Sequence, residues 1–227
     1  MNGSMALLLP WQPGPRRGFG RQPEPVPAAV RGGGRTAVFV DIGGTLVENA
    51  PFNADPARLR LMPAALNALG LLAAAGHALL VLSNQSGLAA GSFTRAQFAH
   101  WQGRLCQRLR DEAGLELLDF VICPHAPAAG GKPACLCRKP APGMLLRAAR
   151  THGLDLQDCW MLGNTLDDIE AGRRAGCQTV LLDSGAETLW RRSPLRQPHA
   201  HCASWGDVAP FILSAGRTQQ GQVVGQA

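Results

Sequence analysis

Five times in this chain a short apolar run ends abruptly in polar residues: Thr36 to Val40 before Asp41, His77 to Leu82 before Ser83-Asn84, Leu117 to Cys123 before Pro124, Asp158 to Gly163 before Asn164, and Gln178 to Asp183. Such runs do not alternate apolar with polar residues, so they read as strands buried on both faces, the pattern of a parallel sheet covered on two sides. Helix-forming stretches separate them. Pro63 opens a helix over Ala64 to Ala75 that stops at Gly76, and Thr94 with Gln97 makes a capping box before Phe98, Trp101, Leu105 and Leu109 on one helical face. Pro142 to His152 and Leu166 to Ala175 supply two more helices, and Trp205 to Leu213 a short last one. Strand and helix in alternation at this spacing predict an α/β fold, a doubly wound parallel sheet with right-handed crossovers.

In open sheets of this kind ligands sit beyond the carboxyl ends of the strands, so the residues that terminate the runs are the ones to watch. Asp41 is followed by Gly43, Gly44 and Thr45, a turn freed by its glycines. Ser83-Asn84-Gln85-Ser86-Gly87 ends the second run, and Asn164 with Asp167 and Asp168 ends the fourth. Lysine occurs only at 132 and 139. A carboxylate, a hydroxyl and a lysine gathered at strand ends are the parts needed for phosphoryl transfer through an aspartyl-phosphate. Val47 to Met62, with prolines at 51 and 56, is expected to loop over these strand ends.

Between the third strand and the next helix stand Cys123-Pro124-His125 and Cys135-Leu136-Cys137. Three thiolates and an imidazole make a tetrahedral site for Zn2+, and with all four positions filled by protein the metal is structural, a rivet for the loop 123–137. A disulfide is the competing reading, but a Cys-x-Cys bridge is strained.

At 227 residues the chain can bury one full core. Its net charge of +6 does not make a nucleic-acid surface. Residues 1–35 hold five arginines against one acid, Glu24, which leaves 17 basic and 15 acidic groups for the remainder. That arm is rich in Pro, Gly and Arg and is expected to be disordered. The folded domain is expected over 36–215 and a flexible tail over 216–227. No run is long and apolar enough to span a membrane, and no apolar stretch follows Arg16-Arg17 as an export signal would require. A cytoplasmic monomer without membrane or nucleic-acid partners is expected.

From Val38 to Asp183 the chain resembles the haloacid dehalogenase (HAD) superfamily of phosphatases, with their Rossmann-like sheet. It is most similar there to the sugar-bisphosphate and histidinol-phosphate phosphatases. Ser-Asn-Gln-Ser-Gly at 83–87, Cys-Pro-His at 123–125 and Cys-Leu-Cys-Arg-Lys-Pro at 135–140 carry the resemblance. It implies hydrolysis of a small phosphorylated metabolite, most closely a heptose 1,7-bisphosphate, with Asp41 as nucleophile and Ser83 and Lys139 steadying the phosphoryl group. It implies Mg2+ on Asp41, the Gly43 backbone and Asn164, and Zn2+ on Cys123, His125, Cys135 and Cys137. Substrate contacts are implied for Asn49, Ala50, Pro51, Phe52, Asn84, Gln85, Ser86, Arg138 and Thr165.

Three positions depart from the family pattern. Gly43 stands where the family has a second aspartate that protonates the leaving alkoxide, Asn164 where it has an anionic metal ligand, and Thr165 where it has a lysine. A catalytically impaired relative that binds a phosphorylated ligand or a protein is therefore the alternative to a working phosphatase.

Overall fold

The computed structural model describes residues 35–128, 135–185, 187, 191 and 193–223, with side chains to 215. The segment expected to be a disordered arm lies outside the described residues apart from Arg35. Six strands form one parallel sheet in the order β3-β2-β1-β4-β5-β6: β1 Ala37–Val40, β2 Ala78–Asn84, β3 Asp119–Cys123, β4 Trp160–Gly163, β5 Gln178–Leu182 and β6 Ala200–Cys202. The helices are α1 Ala65–Ala74, α2 Arg95–Ala113, α3 Gly143–His152, α4 Leu166–Ala175 and α5 Trp205–Val223.

The period of two along β1 builds both cores at once. Val38 and Val40 pack with Leu69 and Leu72 of α1, Phe98 and Leu105 of α2 and Trp205 of α5, while Ala37 and Phe39 face Met144 and Leu145 of α3 and Ala171 of α4. With both faces covered, every central strand must be apolar throughout, which is why the runs do not alternate. Chain order leaves β1 flanked by β2 on one side and β4 on the other. The crossovers run outward in both directions from that line, so the crevice at its carboxyl end is the ligand position of a doubly wound sheet.

Caps fix the helix starts. Thr94 Oγ1 accepts from Gln97 N–H at 3.2 Å while Gln97 Oε1 accepts from Thr94 N–H at 2.8 Å, the expected reciprocal pair. Three expectations need correction. The helix predicted from Pro63 begins at Ala65, because Ala64 turns into the left-handed region at φ 61° and serves as its cap. The last helix does not stop at Leu213 but runs to Val223, through much of the segment read as a flexible tail. β6 was not foreseen, since a three-residue strand with one buried side chain has no readable period. Among the described residues no helix is long and apolar enough to cross a membrane.

Candidate active site

Asp41 follows β1 directly, its N–H donating to Leu162 O of β4 at 3.0 Å, and the chain then turns sharply as Leu46 and Val47 both donate to Ile42 O at 2.9 Å. Gly44 adopts φ 76°, and a Cβ there would lie 2.2 Å from Asn164 Nδ2, so only glycine fits. Gly43 is under no such constraint: the nearest atom to a Cβ at that position is Asn49 Oδ1 at 3.4 Å.

Lys139 is the electrostatic centre. It is 3% exposed, and its Nζ donates to Asp41 Oδ1 at 2.5 Å, to Asp168 Oδ1 at 2.6 Å and to Leu82 O at 3.2 Å. Burial alone would drive off its proton, but the two carboxylates outweigh burial and hold its pKa above the ordinary lysine value. Asp41 is lifted to about 6, by burial first and by Asp168 second, with Lys139 pulling the other way. The Lys139 cation holds the Asp41 pKa below where burial alone would put it, so Asp41 is ionised at neutral pH.

The residues around this centre hold it by long-range contacts. Asn84, at the end of β2, clamps the Lys139 backbone from both sides: Lys139 N–H donates to its Oδ1 at 3.0 Å and its Nδ2 donates to Lys139 O at 3.1 Å. Asp168 is fixed by Thr165, whose N–H and Oγ1 donate to Oδ2 at 3.1 and 2.7 Å as the cap of α4. Gly163 makes room for this, since a Cβ there would come within 2.3 Å of the Asp168 side chain. Ser83 is buried, and its Oγ accepts from Gln85 Nε2 at 3.0 Å.

A cavity of about 320 Å³ opens over these groups. Its wall includes Asp41, Gly43, Asn49, Ala50, Pro51, Phe52, Ser83, Asn84, Gln85, Lys139, Asn164 and Thr165, so the structure brings together most of the site residues read from sequence. Two lie apart from it. Ser86 is not in the wall, and Arg138 turns its guanidinium to His125 O at 3.1 Å, beside the cysteine cluster. Asp168 stands at a strand end in the sequence with no role expected of it. Arg58 and Arg60 also line the wall, and their spacing in an irregular loop carries no signal.

The residues suit both expected metals. Asn164 Oδ1 is buried without a hydrogen-bond partner while its Nδ2 donates to Ser184 Oγ at 3.0 Å, and an orphaned buried oxygen in the same cavity wall as Asp41 is a fitting ligand for a hard cation. Cys123, His125, Cys135 and Cys137 bring their ligand atoms within 4.8 Å of one another. Separations of 3.2 Å for Cys135 Sγ to Cys137 Sγ, 3.3 Å for Cys137 Sγ to Cys123 Sγ and 3.3 Å for Cys137 Sγ to His125 Nδ1 are somewhat tighter than the edges, about 3.8 Å between sulfurs, of a tetrahedron around one zinc. The Arg138 N–H donates to Cys135 Sγ at 3.3 Å, an outer support of the kind thiolate ligands take. All seven cysteines are free, so the disulfide reading does not apply.

Comparison with known proteins agrees with this geometry. A HAD-hydrolase-like family model matches residues 136–207. The D-glycero-β-D-manno-heptose-1,7-bisphosphate 7-phosphatase of Mesorhizobium japonicum is 34% identical over 185 residues, covering 80% of this chain and 84% of that protein. The enzyme of the same name from Pseudomonas aeruginosa is 37% identical over 134 residues, 59% of this chain and 72% of its own. Among solved structures, the D,D-heptose 1,7-bisphosphate phosphatase of B. bronchiseptica, complexed with magnesium and phosphate, superposes with a TM-score of 0.69 at 27% identity, over 80% of this chain and 99% of that one. A HAD-like phosphatase from Mesorhizobium loti gives 0.67 at 32%, over 83% and 91%. With its strand-end aspartate, its buried lysine and relatives that match along most of its length, the chain belongs to the HAD superfamily of phosphatases, in the family of the D-glycero-β-D-manno-heptose-1,7-bisphosphate 7-phosphatases.

Proposed function

We propose that this chain hydrolyses the 7-phosphate of a heptose 1,7-bisphosphate or a closely similar sugar bisphosphate, with Asp41 as nucleophile. The observation that carries this reading is the Lys139 ammonium 2.5 Å from Asp41 Oδ1 on the cavity floor. An Asp41 carboxylate oxygen attacks phosphorus, the bond from phosphorus to the sugar oxygen breaks, and water then releases phosphate from the aspartyl-phosphate. Lys139 offsets the charge gathering on the transferring group. Asp168 acts through Lys139, as a positioning residue. Because the Ser83 oxygen already accepts from Gln85, its own hydrogen is free to donate to a phosphoryl oxygen.

Asp41, the Gly43 carbonyl and Asn164 Oδ1 would hold Mg2+, which supplies further charge neutralisation to the transferring phosphoryl group when bound. The Cys3His cluster would hold a structural Zn2+ with no position left for water.

The competing reading, an impaired relative that binds a phosphorylated ligand, is favoured by one observation. The acids in the cavity wall are Asp41, Glu48, Asp167 and Asp168. Asp168 is engaged by Lys139 and Thr165, and Asp167 by Arg196 Nη2 at 2.9 Å, so only the exposed Glu48 or a water is left to protonate a leaving alkoxide.

A phosphate-release assay with Mg2+ on a heptose bisphosphate, histidinol phosphate and nitrophenyl phosphate tests both readings. A nitrophenolate leaves without a proton and a sugar alkoxide does not, so the native chain should favour the aryl ester and Asp41→Asn should fall to background on all three. A Cβ fits at Gly43, with Asn49 Oδ1 its nearest neighbour at 3.4 Å, and Gly43→Asp should raise sugar-phosphate turnover by about one to three powers of ten. Equal residual release from Asp41→Asn would give the lead to the binding reading.

A further inference from the structure

The turn that follows Asp41 is held from a helix much later in the chain. Gly43 and Gly44 give the turn no side chains to anchor it, and three of its amides crowd one acceptor: Thr45, Leu46 and Val47 N–H all donate to Ile42 O, at 3.2, 2.9 and 2.9 Å. The Thr45 side chain adds no polar tie, since its buried Oγ1 has no hydrogen-bond partner among the described residues. The Thr45 carbonyl is tied by Trp205 of α5, whose indole Nε1–H donates to it at 2.7 Å across 160 positions. Among the described residues no backbone N–H donates to that oxygen.

This bond has a single sense, because an indole nitrogen only donates and a carbonyl only accepts. Its donor stands on a rigid base. Ser204 N–H and Oγ donate to Asp207 Oδ2 at 3.0 and 2.9 Å and close the first turn of α5, while Trp205, Val208, Ala209 and Ile212 bury that helix in the same core as Val38 and Val40 of β1. The turn has little room to drift. Gly44 lies where a Cβ would be 2.2 Å from Asn164 Nδ2, and Asp41 Oδ1 lies 2.5 Å from Lys139 Nζ. Loss of the indole donor leaves a buried carbonyl unpaired, a cost the turn recovers only by shifting toward water or another amide.

We propose that Trp205 is a positioning residue for phosphoryl transfer: its indole N–H fixes the turn after β1, and through that turn it aims the Asp41 carboxylate at phosphorus. The proposal rests on Asp41 being the nucleophile of the reading above. A misplacement of about 1 Å at the reacting atoms costs about two powers of ten in rate, while substrate binding hardly changes.

The test replaces Trp205 by Phe and, separately, by 3-benzothienylalanine, which keeps the bicyclic shape with sulfur in place of N–H. Ile212→Ala, further along the same buried helix, is the packing control. Each full chain, with its metals, is assayed on nitrophenyl phosphate, titrated with beryllium trifluoride and Mg2+ as a phosphoryl analogue that a carboxylate oxygen holds, and melted. Both Trp205 variants should lose about 10- to 100-fold in kcat with KM within about two-fold, and should hold the analogue about 10-fold more weakly. Ile212→Ala should melt lower yet keep kcat within about two-fold. Native kcat in the benzothienylalanine protein overturns the tether whatever Trp205→Phe does, and so does an equal kcat loss in Ile212→Ala. If no chain releases phosphate but the analogue binds the native chain and Ile212→Ala alike and the Trp205 variants more weakly, the tether stands and the phosphatase reading falls. If no chain releases phosphate and the analogue binds every chain alike, or none, both fall.

Discussion

The cysteine cluster and the cavity floor are both tight groups of polar side chains, yet they are built in opposite ways. All four cluster residues lie between positions 123 and 137, and three of them are soft ligands that read as a metal site from spacing alone. The floor takes Asp41 from the end of β1, Asn84 from β2, Lys139 from the loop before α3, and Asn164 and Asp168 from the end of β4 and the first turn of α4. No local pattern joins those residues. The sheet joins them, and burial then makes each charge depend on its partners. The cluster gathers four metal-ligating side chains with no cation among them, whereas the floor sets the Lys139 ammonium between two carboxyl groups.

That contrast predicts where each region is vulnerable. Lys139→Met leaves two buried carboxylates facing each other without a cation, and losing one partner of a buried pair costs about 3–5 kcal/mol. Denaturant unfolding of the metal-free chain should show a loss of that size. A change under about 1 kcal/mol would mean the carboxylates simply take up protons and the floor is no network.

Asp41 gives a smaller effect with a definite sign. Its folded pKa, raised to about 6, lies above the unfolded value of 3.8, so its contribution to stability is fully present below about pH 4 and disappears as pH rises through about 6. By the free energy per pKa unit this amounts to at most about 3 kcal/mol. In metal-free buffer the native chain should lose stability from pH 4 to pH 7, and Asp41→Asn should flatten that slope. An unchanged slope in the variant would assign the titration to another group.

The smallest effect on the core is expected at the cluster. Elemental analysis of protein prepared without chelator should find one zinc per chain. Its removal should expose the segment 123–137 to protease while the melting of the sheet moves by only a few degrees, because among that segment's described residues only Cys123, Cys135 and Cys137 join a core. Cooperative collapse of the whole domain on chelation would show that the two regions are not independent.

Much of the site could be read in advance because its chemistry sits at strand ends. Asp41, Ser83-Asn84 and Asn164 each follow an apolar run, and a run that stops marks its own terminus. Arg58 and Arg60 could not be found that way. They belong to an irregular flap whose path is set by Leu59 packing and by an Arg108 bond across 49 positions. Arg138 and its neighbour part ways for a related reason: Lys139 enters the floor, while the Arg138 guanidinium follows the cysteine loop.

The amino-acid sequence by itself determined the parallel doubly wound sheet, the cluster of three cysteines and a histidine and the place of Asp41 at a strand end, because these follow from period, spacing and the order of elements along the chain. Only the tertiary structure decided that Lys139 lies between Asp41 and Asp168, that Asn84 clamps its backbone and that the flap turns two arginines into the cavity. Those facts depend on which strands become neighbours and on which charges are buried together. Distances across a sheet, and the loss of solvent that gives them their strength, are not written in any local stretch of residues.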